Sequence, residues 1–280
     1  MQISDLYERN ILIATKHRKE LVIAPILKEN FKMNAIISFD FDSDELGTFS
    51  GEIERSLSPI ETVKLKAKKA LENTDYDLVI ASEGSFGSHP VLFFSPCDEE
   101  FLYLYDKKNK FEILVKSLTT NTNLNSKEIT SEKEFDAFLA EVKFPSHGVI
   151  LKDKQSNSLY KEINTESEIK SIFQKLLSKN GIVTCETDMR AMFNPTRMEN
   201  IKELAYKLVE EIHLICPKCL HPGFQITEAK KGLPCAACNF PTASTLKFIS
   251  KCSACSFQQE QLYPNKKQQE DPMYCDFCNP

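Results

Sequence analysis

Four Cys-x-x-Cys pairs stand in the C-terminal part of the chain, and this spacing constrains the fold more than any other feature. Fifteen residues separate the first pair from the second, and nineteen separate the third from the fourth. Both spacings are typical of four-thiolate zinc sites, in which two tight turns each supply two sulfurs. The sequence therefore predicts two zinc sites with eight cysteine ligands: Cys216, Cys219, Cys235, Cys238, Cys252, Cys255, Cys275 and Cys278.

The pairing and the role of these sites are separate questions. We predict sequential pairing, the first pair with the second and the third with the fourth; an interleaved arrangement is the alternative. All eight ligands are cysteines and no water position is implied, so both zinc ions are expected to be structural. They either stabilise a tail too short to build a core or support a protein-docking surface. The remaining cysteines, Cys97 and Cys185, are isolated and are not expected to bind zinc.

Charge argues against nucleic acid as a partner. The 280 residues include 35 basic and 40 acidic side chains, a formal net charge of -5, whereas proteins that coat polyanions usually carry a basic surplus. His213 to Pro280 contains seven lysines, no arginine and five acids. Each zinc–tetrathiolate centre adds a formal charge of about −2. A protein partner of the zinc ribbons, or a homodimer, is compatible with this balance.

Length and hydropathy indicate a cytoplasmic protein of roughly two domains. Hydrophobic residues make up 41% of the chain, which is enough for a core. The longest apolar runs, such as Ile11–Ala14, are far shorter than the roughly 20 residues that a membrane helix needs. Met1–Asn10 is polar and carries acids, which does not match a secretory signal. We therefore expect no membrane association, and paired thiols that bind metal rather than form disulfides.

Residues 1–212 alternate strand-like and helix-like segments, which predicts an α/β domain, followed by a small double zinc ribbon over 213–280. Helices are expected where capping residues precede apolar stripes, at Ser58, Ser131, Thr165 and Thr196. Three consecutive apolar runs with no helix between them predict an antiparallel meander and so a mixed sheet. The runs of strand length are Ile11–Ala14, Ala35–Phe39, Leu78–Ala81, Val91–Phe94, Phe101–Tyr105, Phe111–Val115, Val149–Leu151 and Ile182–Cys185.

Polar residues follow three of these predicted strands. Thr15–Lys19 combines a hydroxyl with three cations where a strand leads into a helix, which suits a polyphosphate; a solvated turn is the alternative. Glu83 follows a buried strand next to glycine and suits Mg²⁺ or an activated water; a solvated loop acid is the alternative. Glu186–Arg197 carries two carboxylates and two guanidiniums, which suit metal and phosphate or a planar base; a structural ion-pair network is the alternative.

Nearly the whole chain resembles an uncharacterised bacterial family, a domain of unknown function that brings no established activity. The Cys-rich tail with its ending Cys278-Asn-Pro280 is one part of the resemblance. The other blocks are Ala14-Thr-Lys-His17, Leu46-Gly-Thr-Phe-Ser-Gly-Glu-Ile-Glu-Arg55, Ala81-Ser-Glu-Gly-Ser-Phe-Gly87, Glu186-Thr-Asp-Met-Arg-Ala191 and Asn194-Pro-Thr-Arg-Met198.

Residues 10–212 also resemble, more distantly, the inosine/xanthosine triphosphate pyrophosphatases, through motifs that follow in the same order. Those enzymes grip the triphosphate with a Thr-Gly-Asn-x-x-Lys turn, and Thr15-Lys-His-Arg-Lys19 is similar, with lysine for glycine and histidine for asparagine. Ser58–Ala70 resembles their next helix. Glu83-Gly84 is similar to their magnesium-binding acidic strand end. Arg197 stands before a helix, as does the arginine of their purine-reading Ser-His-Arg motif.

This resemblance implies a Mg²⁺-dependent hydrolase that releases pyrophosphate from a non-standard or modified purine nucleoside triphosphate. The expected catalytic residues are Lys19, Glu83, Glu186 and Asp188. The expected substrate-binding residues are Thr15, His17, Lys19, Ser85, Arg190, Asn194 and Arg197. Such a site requires the charged members to converge on one cleft. The alternatives are a non-enzymatic nucleotide-binding or adaptor protein that docks through its zinc ribbons, and a nucleic-acid-modifying enzyme, which the acidic balance disfavours.

Overall fold

The computed structural model describes residues 1–37, 57–72, 74–156 and 158–280. The chain divides into two units: Glu8–Leu208 form the larger one, and Met1–Tyr7 with Val209–Pro280 form the smaller one. The sequence predicts a domain boundary after residue 212. In the structure the boundary follows Leu208, and the first seven residues group with the C-terminal part. In the described ranges, no helix combines the length and the apolar character that crossing a bilayer requires.

Two sheets organise the larger unit. Its helices and strands are, in chain order, β1 (Asn10–Ala14), α1 (Glu20–Phe31), β2 (Asn34–Ile37), α2 (Pro59–Leu71), β3 (Leu78–Ser88), β4 (Pro96–Asp106), β5 (Phe111–Thr119), β6 (Ser126–Ile129), α3 (Glu132–Glu141), β7 (Val149–Lys152), β8 (Leu159–Tyr160), α4 (Glu166–Asn180), β9 (Val183–Thr187) and α5 (Pro195–His213). The residues of α5 from Val209 onward are grouped with the smaller unit. The first sheet has the order β2-β1-β3-β4-β5, parallel across β2, β1 and β3 and antiparallel across β3, β4 and β5. The predicted mixed sheet is therefore confirmed. The second sheet, β6-β9-β7-β8, is antiparallel.

Each sheet of the larger unit buries an apolar core against helices. Val63 and Ala67 of α2 pack in one cluster with residues of the first sheet, among them Phe101. In the second core, Phe135 of α3 stacks on Phe173 of α4 with ring centroids 3.9 Å apart. Burial of large aromatic side chains contributes several kcal/mol to such cores, roughly 1.5–3 kcal/mol for each fully buried side chain.

Three of the four predicted helix starts are confirmed. Ser58, Ser131 and Thr165 each accept a hydrogen bond from the backbone N–H three residues further on. The fourth is wrong, because α5 begins at Pro195 rather than after Thr196. The Asn194 side chain accepts a hydrogen bond from the Arg197 N–H at 3.0 Å, which makes Asn194 the capping residue. Proline suits the first helical position, where no N–H is needed.

The third strand is longer than predicted. It runs past Ala81 to Ser88 because β4 pairs with it along its whole length. Glu83 therefore lies within a strand and not at a strand end, which corrects the prediction made from the two nearby glycines. Beyond Ala81 the strand has little apolar character, so its length of eleven residues is explained by its pairing with β4.

The predicted strand Val91–Phe94 is wrong. These residues form the loop between β3 and β4, in which His89 Nδ1 accepts hydrogen bonds from two of their backbone N–H groups. The strand predicted from Ala35 is β2 and is described as far as Ile37. Its predicted last residues, 38 and 39, and the sequence block 46–55 lie outside the described residues.

The smaller unit contains a third sheet, built from polar strands. Its strands β10 (Ile226–Lys231), β11 (Thr245–Lys251) and β12 (Gln258–Leu262) are antiparallel in that order. Every residue of β10 and β12 is exposed, and β11 buries only Ile249. Because neither face carries an apolar row, these strands leave no alternating pattern in the sequence.

Candidate functional site

The eight paired cysteines form two groups, and the predicted sequential pairing is wrong. The first group is Cys216, Cys219, Cys252 and Cys255, and the second is Cys235, Cys238, Cys275 and Cys278. Sulfur–sulfur distances between the joined pairs are 3.5, 3.7, 3.8 and 3.9 Å. A tetrahedral zinc ion with Zn–S bonds of about 2.3 Å requires sulfurs about 3.8 Å apart. Each group could therefore hold one structural zinc ion.

The C-terminal sheet explains why the pairing is crossed. The first pair precedes β10 and the third follows β11, and Ile226 of β10 lies opposite Ser250 of β11, so these two pairs meet at one end of the sheet. The second pair lies between β10 and β11, at the other end. β12 returns to that end, and beyond it Glu270 exchanges backbone hydrogen bonds with Pro234 and Ala236 at 2.8 and 2.9 Å. This contact brings the fourth pair to the second.

All four cysteine pairs make the same turn. In each, the N–H four positions after the first cysteine donates to that cysteine's carbonyl oxygen, at 2.9, 2.9, 3.0 and 2.8 Å in chain order. Leu220, Asn239 and Ser256 adopt positive φ there, at 62°, 58° and 59°. The turn also directs N–H groups at sulfur, as between Ala237 N and Cys235 Sγ at 3.4 Å. Such donors favour the thiolate, which is the form that binds metal.

The isolated cysteines belong to neither group. Cys97 belongs to β4 and Cys185 to β9, and each is buried in the larger unit with a free thiol. Burial raises the pKa of both, that of Cys185 to about 12, so these thiols stay protonated and unreactive near neutral pH.

A network of buried charges lies in the larger unit. Lys19 Nζ is 3.6 Å from one oxygen of Glu100, and Arg197 Nε donates to the other oxygen. Lys66 of α2 and Glu83 of β3 form an ion pair. Each of these five residues is at most 7% exposed. Five charges from five separate elements are thus held out of water, which is costly unless each is paired.

The turn between β1 and α1 brings Lys19 into this charge network. β1 ends at Ala14, opposite Ala81 of β3, and ligands of α/β sheets bind beyond the carboxyl ends of parallel strands. His17 and Arg18 both have positive φ, 65° and 60°. Left-handed backbone at two successive non-glycine residues costs on the order of 1–3 kcal/mol each, and such strain is concentrated at functional sites.

Gly84 permits the close approach of Arg197 to Glu100. A Cβ atom at position 84 would lie 2.2 Å from Arg197 Nη2 and 2.7 Å from Glu100 Oε1. The guanidinium also lies over the ring of Phe86, 4.8 Å from its centroid, and donates to the carbonyl oxygen of Met189. These contacts fix the orientation of the guanidinium, and they leave no room for a side chain at position 84.

Asp98 lies two residues before Glu100 on β4, and so on the same face. Its Oδ2 accepts a hydrogen bond from Asn200 Nδ2 at 2.9 Å. Burial, and then the charge of Glu100, raise the pKa of Asp98 to about 7. Although burial opposes it, the charges of Arg197 and Lys19 hold the pKa of Glu100 below its usual range, helped by a hydrogen bond from Asp98. Burial lowers the pKa of Lys19 to about 8.

Several buried polar atoms of this region have no hydrogen-bond partner among the described residues. Ser82 adjoins Glu83 on β3, and Thr62 lies one turn before Lys66 on α2. Buried polar groups are nearly always bonded, so each unbonded one is a position where water or a polar ligand could bind. These atoms are the hydroxyl oxygens Thr15 Oγ1, Thr62 Oγ1 and Ser82 Oγ.

The other charged residues predicted for the site lie in separate ion pairs. Arg190 donates to Asp188 through Nε and Nη2, at 3.1 and 2.7 Å, and lies 2.8 Å from Glu162. Glu186 pairs with Lys152 at 2.7 Å. For these residues the structure has the ion-pair arrangement that the sequence offered as the alternative. The predicted residues that do share the network are Lys19, Glu83 and Arg197.

The uncharged predicted residues lie in three places. Thr15 and His17 belong to the β1–α1 turn. Ser85 lies on β3 opposite Glu99 of β4. Asn194 is fully buried, caps α5, and has no free polar atom to offer a substrate because its amide also donates within the loop.

Sequence reasoning missed four members of the region as site residues. Lys66 lies on the buried face of α2. A charged residue within the apolar stripe of a predicted helix was the signal that could have identified it as a site residue. Asp98 and Glu100 alternate along β4 just before Phe101, a spacing that places two acids on one strand face. Nothing in the sequence distinguishes Asn200 from an ordinary helix residue.

The structure defines the class of this protein. One unit is a mixed-sheet α/β unit with a buried charge network, and the other contains two crossed four-cysteine groups. The chain belongs to the family described as Domain of unknown function (DUF6671), whose sequence profile matches residues 66–280. This confirms the resemblance to an uncharacterised family and does not bear on the resemblance to the inosine/xanthosine triphosphate pyrophosphatases. The match begins at Lys66 of the charge network and includes all eight paired cysteines. No curated protein matches the chain.

Proposed function

We propose that the chain is a hydrolase of phosphorylated nucleotides and that its substrate binds at the buried charge network. The proposed substrate is a non-standard or modified purine nucleoside triphosphate, and pyrophosphate is the leaving group. The observation that most supports this proposal is that three buried cations, Lys19, Lys66 and Arg197, belong to one charge network beyond the carboxyl end of β1. These three cations outnumber the two carboxylates paired with them, Glu83 and Glu100, and burial raises the pKa of Asp98 to about 7, which reduces the negative charge that Asp98 adds. The net positive charge favours an anionic ligand.

The unbonded polar atoms support the same proposal. Thr15 and Ser82 carry buried hydroxyls that can donate to phosphate oxygens. An entering phosphate competes with Glu100 for Lys19 and with Glu83 for Lys66. The carboxylates so released become available to orient a water molecule for attack on phosphorus.

Magnesium is part of the proposal, and the residues fit it only together with the substrate. Among the described residues, the only groups of three or more metal-type side chains at coordinating distance are the two cysteine groups, so the carboxylates form no cage of their own. Mg²⁺ in nucleotide enzymes usually keeps several waters and binds one or two carboxylates plus substrate phosphates. Glu83 and Glu100 are the carboxylates that would hold it, and it would neutralise charge on the phosphates.

The fold of the inosine/xanthosine triphosphate pyrophosphatases belongs to this proposal as well. The order of elements along the chain supports this fold. β1 leads into a strained turn that ends at Lys19, and β3, which pairs with β1, carries Glu83. Arg197 in the first turn of α5 completes the set.

For the smaller unit we extend the proposal to two structural zinc ions, one in each cysteine group. Supporting it are the sulfur–sulfur distances and the repeated turn in all four pairs. Metal analysis of the freshly purified protein should give about two zinc ions per chain, four thiolates to each. A value near zero, with the thiols in disulfides, contradicts it.

A second candidate is an adaptor that docks through the zinc-binding unit. Its support is an exposed aromatic cluster beside the second cysteine group. The rings of Phe240 and Phe277 stack with centroids 5.7 Å apart, and both are largely exposed, as are Met273 and Tyr274. Exposed aromatic residues on a rigid unit are typical of protein interfaces.

The test of the hydrolase proposal is a nucleotide screen on the full chain with Mg²⁺, reading out pyrophosphate and phosphate separately. We expect pyrophosphate from deaminated purine triphosphates and less from standard ones. Lys66→Met should abolish turnover, whereas Lys68→Met, on the exposed side of the same helix, should not. Turnover that is unchanged in Lys66→Met, or no turnover with any nucleotide, contradicts the proposal and favours the adaptor.

A further inference from the structure

A second polar arrangement lies at the start of α5, apart from the charge network. His147 is 5% exposed and stands between two hydroxyl groups. Its Nδ1 is 3.0 Å from Ser146 Oγ, and its Nε2 is 2.9 Å from Thr196 Oγ1. Thr196 belongs to the first turn of α5 and is partly exposed.

The hydrogen bonds fix the position of each proton in this chain of groups. Ser146 Oγ donates its proton to the carbonyl oxygen of Lys143 at 2.7 Å, and it must therefore accept from His147 Nδ1–H. His147 Nε2 then carries no proton and acts as the acceptor. The Thr196 hydroxyl donates to it, and the Thr196 backbone N–H lies 3.4 Å away. Burial, and then the charge of Lys143, lower the pKa of His147, which favours this neutral form.

Backbone contacts hold the histidine in place against α5. Gly148 N–H donates to the carbonyl oxygen of Phe193, and Asp188 N–H donates to that of Gly148, both at 2.8 Å. A Cβ atom at position 148 would lie 2.9 Å from Phe193 Cβ and 3.0 Å from Asp188 Cβ. Glycine is therefore needed for the segment with His147 to approach the loop that leads to Thr196.

We propose that Thr196 is a nucleophile activated by His147 and that it accepts a phosphoryl group from an activated phosphate compound. A hydroxyl that donates to an imidazole, which is oriented in turn by a third group, is the arrangement that activates hydroxyl nucleophiles. The α5 N-terminus and the nearby Lys143 favour an incoming anion over a neutral acyl group. A helix cap alone would need only an acceptor for the Thr196 N–H, and it would not require a hydroxyl group on this partly exposed residue.

The transfer step balances without any further reagent. Thr196 Oγ attacks phosphorus, and the Oγ–P bond forms as the bond between phosphorus and the bridging oxygen of the donor breaks. The electron pair of that bond leaves with the donor's oxygen, and the hydroxyl proton passes to His147 Nε2. The imidazolium then releases this proton to the leaving group or to solvent. The product is phosphothreonine, and nothing in the step depends on the charge network or on nucleotide binding.

The test uses the full, zinc-loaded chain incubated with acetyl phosphate, followed by mass spectrometry of intact protein and peptides. We expect phosphorylation at Thr196, retention of it in Thr196→Ser, and loss of it in Thr196→Val. His147→Gln, which keeps an acceptor for the helix N–H, should slow labelling about 100-fold or more. Thr165, which caps α4 without a histidine, should stay unlabelled.

Thermal unfolding of each variant separates reactivity from folding. Labelling that is equally fast in His147→Gln, that favours other hydroxyls, or that fails in a wild-type protein with intact fold overturns the proposal. If Thr196→Val does not fold, the contrast between Thr196→Ser and His147→Gln decides the question. Failure of the nucleotide screen leaves this result unaffected, because acetyl phosphate contains no nucleotide.

Discussion

The two units of the chain are stabilised by different kinds of interaction. The larger unit has two apolar cores, with helices packed on each sheet, and it tolerates a buried charge network besides. In the smaller unit, β10 and β12 are exposed along their whole length, and cysteines supply much of what is buried. The larger unit can fold by excluding water from apolar surface, whereas we expect the smaller one to depend on the metal ions that its cysteine groups could hold.

Removal of metal should produce the largest effect. Structural zinc contributes about 10–16 kcal/mol of apparent binding free energy in small zinc domains, so a strong chelator should unfold the smaller unit. The larger unit should stay folded. Hydrogen exchange read out by mass spectrometry should show loss of protection in β10–β12 and retained protection in β3–β5. Equal loss in both, or in neither, contradicts the distinction between the units.

Pairs of cysteine substitutions should reveal the crossed pairing through zinc content. Cys216→Ser with Cys252→Ser damages one group only, so the protein should keep one zinc ion. Cys216→Ser with Cys235→Ser damages both groups, so it should keep none. Sequential pairing predicts the reverse for the two variants. Cys97→Ser and Cys185→Ser are the controls and should leave the zinc content unchanged.

Two glycines of β3 offer a matched comparison within the larger unit. Gly84→Ala should lower the free energy of unfolding by about 1–3 kcal/mol, because the added methyl group displaces the Arg197 guanidinium. Gly87→Ala on the same strand meets nothing within 4 Å and should be close to neutral. Chemical denaturation measures both. Equal effects of the two substitutions would show that strand propensity, and not the network, sets the cost.

The smallest effect concerns the proton on Asp98. The folded protein keeps this proton up to about pH 7, whereas an unfolded aspartate loses it near pH 4 (about 3.9). Between those values the native state binds more protons, so the Asp98 contribution to stability falls as pH rises. Asp98→Asn removes this dependence, and its stability relative to wild type should rise from about pH 4 to about pH 7. If the stability of Asp98→Asn relative to wild type does not change with pH, Asp98 does not hold a proton in the folded protein over this pH range.

The sequence predicted ligands better than it predicted their pairing. Spacing identified all eight cysteines that form the two groups, because two sulfurs per tight turn is a local requirement. The pairing depends on β10, β11 and β12. β10 and β12 are exposed along their whole length and β11 buries only Ile249, so the sequence shows no hydrophobic period for these strands. A crossed arrangement could therefore not be distinguished from a sequential one.

The charge network shows the same limit for side chains. Lys19, Glu83 and Arg197 could be singled out because each follows or precedes a strand or helix that the sequence predicts, although Glu83 proves to lie within β3. Their actual partners are Lys66, on the buried face of a helix, and Glu100, in the part of β4 that precedes the predicted strand Phe101–Tyr105. Ion pairs between distant elements follow from tertiary packing, which a local pattern does not encode.

The most direct measurement is equilibrium binding of a deaminated purine triphosphate with Mg²⁺ to four proteins: wild type, Lys19→Met, Glu83→Gln and Lys28→Met. Lys19→Met should bind about 10- to 100-fold more weakly, since a charged contact to phosphate is lost, whereas Lys28→Met, on the exposed face of α1, should match wild type. Glu83→Gln should still bind and should lose turnover. Binding that is the same in Lys19→Met and Lys28→Met, or no binding to wild type at millimolar nucleotide, contradicts the account.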